Sequence, residues 1–420
     1  MSEIKTYQLS DAVKLRSFTD SKFKTMRISV NMLLPISKLT AAKYALLPSL
    51  VSRASRNYPD YTSLGCKLAQ LYGASLGSGV QKLGEYQVLT ISAGGIASRY
   101  AFGGEDMFAE LSQLLFSVIL DPLKDAGGLF PQDGFDQEKR QQLEQKDTEF
   151  SDKMLYTHQR CHQILFEGQR AGVERLGSRE DIAALKREEL SAAWEEVLHS
   201  ARFEIFTLGD CQPDVAAFCQ TFSGLGRAHI LSAAPYKEPE KIHRVTEEQP
   251  VSQSKLSLAF RVQARPEEAL LFHLVSAVLG EPTSSKLFQN VREKQGLCYY
   301  CDSSFSWSSG ALFIESGVET ENLDRVETAV MEQVHTMQKG QITDKELEYA
   351  KGYIFNSLRG VTDSLHKVEN WYLSRAFDQE DLSPKQAMEK IAGYTVGQVT
   401  EAANQLKQAV IYRLKGNGAC

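Results

Sequence analysis

A chain that runs one programme of elements twice is constrained to fold as two similar domains, and this sequence of 420 residues does so. In its first half, Lys24–Met32 alternates apolar and polar residues, the period of a half-buried strand. Tyr44, Leu47, Leu50 and Val51 then share one helical face, and a second short helix around Ser63–Tyr72 ends at Gly73. A strand at Tyr86–Ser92 precedes an amphipathic helix striped by Met107, Leu111, Leu114, Leu115 and Val118. A charged helical stretch (Phe135–Lys153), a helix near Leu155–Phe166 and a strand at Phe203–Leu208 follow. The stretch Ala233–Ser252 carries Pro235, Pro239 and Pro250 among charges and has no periodicity, which reads as a linker. The order then restarts with a strand (Lys255–Val262) and a helix striped by Leu270, Leu274, Val275 and Val278. A strand at Ala311–Ser316, a helix over Leu323–Met337 and a capping box at Thr343–Glu346 continue it. A local echo agrees: Lys67-Leu68-Ala69-Gln70 and Lys286-Leu287-Phe288-Gln289 lie 219 positions apart at matching places. The expected fold is therefore α+β, with domains at 1–232 and 253–420 joined by a linker at 233–252.

The charge balance narrows the function. A net charge of −6 leaves no basic footprint, which excludes nucleic acid as the expected partner. Residues 1–21 mix charges with apolar residues and lack the apolar core of a secretion signal. No apolar run approaches the roughly 18 residues that span a bilayer. Seven scattered cysteines, odd in number, fit reduced thiols in a cytoplasmic protein.

The most specific block is Arg292-Glu293-Lys294-Gln295-Gly296-Leu297-Cys298-Tyr299, preceded by Leu279-Gly280 and Ser284–Phe288. It resembles the signature of the pitrilysin/insulinase family of zinc peptidases. Counterparts run through most of the chain, including Glu138-Lys139, Gly209-Asp210, Gln341–Thr343 and the final Tyr412–Gly416. The resemblance implies two similar domains, each a mainly antiparallel sheet packed with helices.

Family catalysis needs HxxEH on the first helix, where two imidazoles one turn apart hold zinc and the glutamate serves as general base. The matching positions here are Ala45, Pro48 and Ser49, none of which ligates zinc in that way. No histidine precedes His158, so a shifted alignment does not restore the motif. Glu144, or Gln145 beside it, falls near the third-ligand position and reads as a solvated helix residue. No catalytic and no metal-binding residue is expected in this chain.

Arg292 and Tyr299 are similar to a pair that grips substrate beside the scissile bond in the family. A guanidinium and a phenol both donate to a peptide carbonyl or its developing oxyanion. The alternative is packing, an ion pair for Arg292 and a core aromatic for Tyr299. The loop Gly280–Ser285 holds one glycine and reads as an ordinary loop rather than a glycine-rich guiding segment.

Other motifs carry less. Gly73–Gly77 spells GxSxG, but a helix precedes it and strands follow, the reverse of a nucleophile elbow. Cys298 and Cys301 have redox spacing, yet the run reads as a strand that places the thiols on opposite faces. His158, Cys161 and His162 have helical ligand spacing without an intervening glutamate, and read as ordinary helix residues.

The resemblance implies the non-catalytic subunit of a heterodimeric, bacterial-type peptide-processing enzyme. A related HxxEH partner supplies zinc, and this chain helps hold an extended peptide substrate. No cofactor is expected in this chain, and homodimerisation in isolation is left open. The alternatives are a scaffold of the same fold, or a self-sufficient metalloenzyme using His158 and His162.

Overall fold

In the computed structural model, which describes residues 3–228, 236, 238–263, 265–377 and 381–417, the first sheet has six strands. These are Lys5–Ser10 (β1), Val13–Thr19 (β2), Thr25–Pro35 (β3), Ser75–Leu83 (β4), Tyr86–Ile96 (β5) and Arg202–Gly209 (β6), ordered β1-β2-β6-β3-β5-β4. Between them run helices Ala41–Val51 (α1), Tyr61–Gln70 (α2), Met107–Leu120 (α3), Gln132–Thr148 (α4), Lys153–Leu165 (α5), Arg179–Ala184 (α6) and Arg187–Ser200 (α7), with Val215–Phe222 (α8) after β6. The second sheet has five strands: His243–Gln249 (β7), Ser254–Arg261 (β8), Tyr300–Ser306 (β9), Ala311–Val318 (β10) and Lys407–Gly416 (β11), ordered β7-β11-β8-β10-β9. Its helices are Ala269–Leu279 (α9), Leu323–Gln338 (α10), Asp344–Arg359 (α11), Leu365–Leu373 (α12), Pro384–Ala392 (α13) and Val396–Asn404 (α14).

Set β1 aside and the two sheets share one strand order. In each, the first strand pairs parallel with the last (β2 with β6, β7 with β11), and the remaining pairs are antiparallel. That is a duplicated unit. The second copy opens at β7, inside the stretch 233–252 that reads as a linker; Pro235 of that stretch, like Cys420, lies outside the described residues. The strand His243-Arg244-Val245-Thr246-Glu247-Glu248-Gln249 is half exposed and polar, so hydropathy gives it no signal.

The chain also departs from a simple split. One compact unit comprises Met1–Asp147, Val173–Ser232 and Ser364–Ala376; the other comprises Thr148–Gly172, Ala233–Asp363 and Phe377–Cys420. Helices α5 and α12 hold equivalent places, each following the long helix α4 or α11, and each packs in the unit built mainly from the other half. The exchange is reciprocal.

In the first unit one face of the sheet carries the apolar core. Met107, Leu111, Leu115, Val118 and Ile119 of α3 and Leu46, Leu47 and Val51 of α1 pack over Ile28, Val30 and Ile91. Each such fully buried side chain contributes about 1.5–3 kcal/mol relative to exposure. β3, which alternates in sequence like a half-buried strand, is buried on both faces. Its polar positions lie with α12: Arg27 donates to Glu369 at 2.6 Å and Asn31 at 3.3 Å. Beside them Glu204 is fully buried, paired with Arg16 and with Arg202 at 2.7 Å, and Arg202 also donates to the Ala376 carbonyl at 2.6 Å. In the second unit α5 lends Cys161, Leu165 and Phe166 to a cluster with Ala259, Phe313, Val410 and Tyr412. Arg160 and Tyr156 on that helix hold Glu247 of β7 at 2.7 and 3.0 Å.

Candidate functional site

The helix that would carry a zinc motif forms from Ala41 to Val51 and buries nearly every side chain. Ala45 presents only a methyl group and is 7% exposed. Pro48 sits inside the helix, lacks the N–H that would bond to the carbonyl of Tyr44, and occupies the general-base position with a buried ring. Ser52 answers the carbonyl of Pro48 with both its N–H, at 3.2 Å, and its hydroxyl, at 2.7 Å. The Ser49 hydroxyl donates to the Leu46 carbonyl at 3.1 Å. Glu144 points to solvent, 69% exposed, 3.8 Å from Arg140 on its own helix. These residues do not fit a zinc ion. Among the described residues, no group of three or more histidine, cysteine, aspartate or glutamate side chains is placed to hold a metal.

Helices α1 and α4, which a metal would bridge in the family pattern, are joined here by Arg53. It donates to the buried Glu138 at 2.7 Å and to Gln137 at 3.0 Å. Gly134 makes room for this guanidinium, since a Cβ there would lie 3.2 Å from Arg53 Nε. An ion pair ties α4 to the segment that follows α1.

The histidine cluster on α5 serves packing. His158 Nδ1 lies 2.8 Å from Glu315, and the His162 ring sits 4.7 Å from that of Phe166 and 5.8 Å from that of Phe313. Cys161 is buried, bonds to the Ser257 carbonyl, and its thiol is pushed up to about 12 by burial. The GxSxG run is a turn: α2 ends, Tyr72 and Gly73 take left-handed φ of 57° and 73°, and Ser75 opens β4.

The Arg292–Tyr299 block forms a surface feature in the second unit. A single π-helical turn, Phe288–Glu293, carries Arg292, whose guanidinium stacks 4.5 Å above the Phe288 ring and lies 3.5 Å from Glu293. Such turns are rare and often mark functional sites. The left-handed Gly296 (φ 61°) reverses the chain, its N–H bonding to Arg292 O at 3.0 Å. Tyr299 N–H then bonds to Gly317 O at 2.9 Å, which starts the β9–β10 hairpin. Arg292 is 38% and Tyr299 58% exposed, so Tyr299 is not the core aromatic of the packing alternative. The Tyr299 hydroxyl donates to Glu319 at the far end of the hairpin. That hydrogen bond, then the carboxylate's charge, raises the phenol's pKa and keeps it a donor. Glu319 escaped the sequence reading because it lies 20 residues from Tyr299, joined to it only by the hairpin.

The two cysteines of the block differ in access. Cys298 lies before the strand and is partly exposed, whereas Cys301 is buried at 1% exposure inside β9. The loop before the block is an ordered turn, with Ser285 N–H bonded to Pro282 O at 2.9 Å and the buried Lys286 paired with Glu346 at 2.7 Å.

Comparison with known proteins agrees with this arrangement. The family model for the peptidase M16 inactive domain matches residues 184–353, a span that includes the Arg292–Tyr299 block. The probable inactive metalloprotease YmfF of Bacillus subtilis strain 168 is 25% identical over 403 residues, 94% of each chain. The crystal structure of a conserved protein from Enterococcus faecalis V583 superposes with a TM-score of 0.89 at 27% identity, covering 99% of both chains. The crystal structure of a peptidase M16 inactive domain from Pseudomonas fluorescens shares the fold, with a TM-score of 0.81 at 18% identity over 99% of both chains. The family model, a near full-length relative and the duplicated α+β fold together liken this chain, which lacks HxxEH, to inactive-type homologues of the M16 (pitrilysin/insulinase) peptidases.

Proposed function

We propose that this chain is the non-catalytic half of a two-chain zinc peptidase, binding and positioning a peptide for a related partner that carries HxxEH and the zinc. The observation that carries the reading is a contrast within one chain. Positions 45, 48 and 49 hold a methyl group, a proline ring and a hydroxyl spent on its own helix. Arg292 and Tyr299, by contrast, lie exposed on a shaped turn, with the Tyr299 hydroxyl held by Glu319. Packing alone gives a chain no reason to hold a guanidinium and a phenol at its surface. β4 and β9 each end a sheet and pair on one side only, so an extended peptide could add to either through main-chain hydrogen bonds.

The test mixes the purified chain with an HxxEH-bearing relative and assays peptide cleavage. Neither chain alone is expected to match the mixture. Arg292→Ala combined with Tyr299→Phe is expected to lower kcat/KM by at least tenfold, about 1.4 kcal/mol of transition-state stabilisation. A rate within twofold of the unaltered mixture would overturn the substrate grip. Isolation of the chain from its source in an assembly without a zinc-bearing relative would favour a scaffold.

A further inference from the structure

Arginines packed into the first unit meet carboxylates: Arg16 and Arg202 pair with Glu204, Arg27 with Glu369 and Arg53 with Glu138. Arg261, the last residue of β8 in the second unit, meets none among the described residues. Its guanidinium carbon lies 4.7 Å from the centre of the Phe166 ring and 5.8 Å from that of Tyr236. Aromatic rings engage a guanidinium through its faces, whereas its N–H bonds point outward in the plane and need acceptors. Nη1 is shut off from solvent and has no acceptor. A buried charged donor left in that state opposes folding unless another group supplies the acceptor.

A second cation stands beside it. Lys407, the first residue of β11, is directly opposite Arg261 in the β8–β11 ladder, so the two side chains leave the sheet on the same face. Like charges facing each other across a ladder repel. Glu238 lies 3.5 Å from Lys407, but these side chains are 65% and 49% exposed, a pair that water and salt weaken. On its other flank Arg261 faces Ala311 of β10, which brings no charge. Burial lowers the pKa of Arg261, with the Tyr236 phenol opposing.

We propose that Arg261, together with Lys407, binds a small oxyanion, a phosphate group or a carboxylate. Two oxygens of such a group match the fork of a guanidinium, and the pairing strengthens where the surroundings exclude water. The rings of Phe166 and Tyr236 hold that fork in place, which lowers the ordering cost of binding. Arg261 as a whole is half-buried, so solvent, and a small ion with it, reaches the rest of the side chain. Lys407 exchanges its exposed contact with Glu238 for the anion. This binding depends neither on the Arg292–Tyr299 grip nor on a partner chain.

The experiment titrates the full chain by calorimetry at pH 7 and constant ionic strength. The probes are inorganic phosphate, acetate, and a short uncharged peptide with a free C-terminal carboxylate, compared with its amide. At least one oxyanion is expected to bind with a Kd below about 5 mM. Arg261→Gln is expected to weaken that binding about tenfold or more, and Lys407→Gln about threefold or more. Lys407 is exposed enough for its variant to fold, so it carries the test even where Arg261→Gln does not. Phosphate bound well ahead of acetate marks a phosphoryl ligand, whereas the free-acid peptide bound ahead of its amide marks a chain terminus. No binding by any probe up to about 20 mM, or equal affinity in the wild type and Lys407→Gln, would overturn the proposal and leave Arg261 a stacking residue only.

Discussion

Lys82 is the residue whose environment most plainly opposes its charge. It sits on β4, its ammonium donating to the Val173 carbonyl at 3.2 Å, and burial brings it down to about 8 although Glu174 pulls the other way. The unfolded chain returns it to the ordinary lysine value near 10.5. Between those values the unfolded state binds more protons, so this group's contribution to stability rises as pH rises from about 8 to about 10.5. Below pH 8 the folded chain bears the full cost. Lys82→Met is therefore expected to be more stable than the wild type at pH 7 by about 1–3 kcal/mol, after allowing for the lost hydrogen bond. The gap should close as pH approaches 10.5. Urea titrations of both proteins at pH 7, 9 and 10 measure it, and a gap independent of pH would show that packing sets it instead of protonation.

At the scale of an element, α1 holds none of the side chains that a zinc-binding HxxEH helix needs. Nothing polar reaches out from positions 45, 48 or 49, and an interior proline is tolerated at a cost of about 3 kcal/mol in helix stability. Pro48→Ala would restore an N–H to the Tyr44 carbonyl and lose some buried ring surface. A net gain of about 1–2 kcal/mol is expected, seen as a rise in Tm. A fall in Tm would mean that the ring's packing outweighs the missing donor. Local chemistry of this kind is legible in sequence: the helix, its empty ligand positions and the Thr343–Glu346 cap all are. That cap forms with Thr343 N–H on Glu346 at 2.8 Å and Glu346 N–H on Thr343 at 3.2 Å. What depends on distant partners is not legible. Glu319 meets Tyr299 only through a hairpin. The polar face of β3 is buried only because a helix some 340 residues away in sequence supplies Glu369 to Arg27.

Across the whole chain, the sequence shows two copies but not the exchange between them, because no local pattern records which sheet an amphipathic helix will cover. The exchange has a consequence for dissection. A fragment of residues 1–240 would keep α5 but lose the strands against which Cys161, Leu165 and Phe166 are buried. It would also lose α12, leaving Arg27 without the carboxylate of Glu369 and Arg202 without the Ala376 carbonyl. Stranded buried partners typically cost 1–3 kcal/mol each, and the bared apolar face adds to that, against a total stability of about 5–15 kcal/mol for an ordinary domain. The 1–240 fragment alone is therefore expected to aggregate or to lack a cooperative unfolding transition. Co-expressed with residues 241–420, which return α12 and the second sheet, it should yield a soluble, co-purifying pair. A linker-joined two-domain protein would behave in the opposite way, with each fragment folding alone. A dispersed NMR spectrum and a sharp urea transition for 1–240 by itself would show that the lent helices are dispensable and that the break at 233–252 is a true domain boundary.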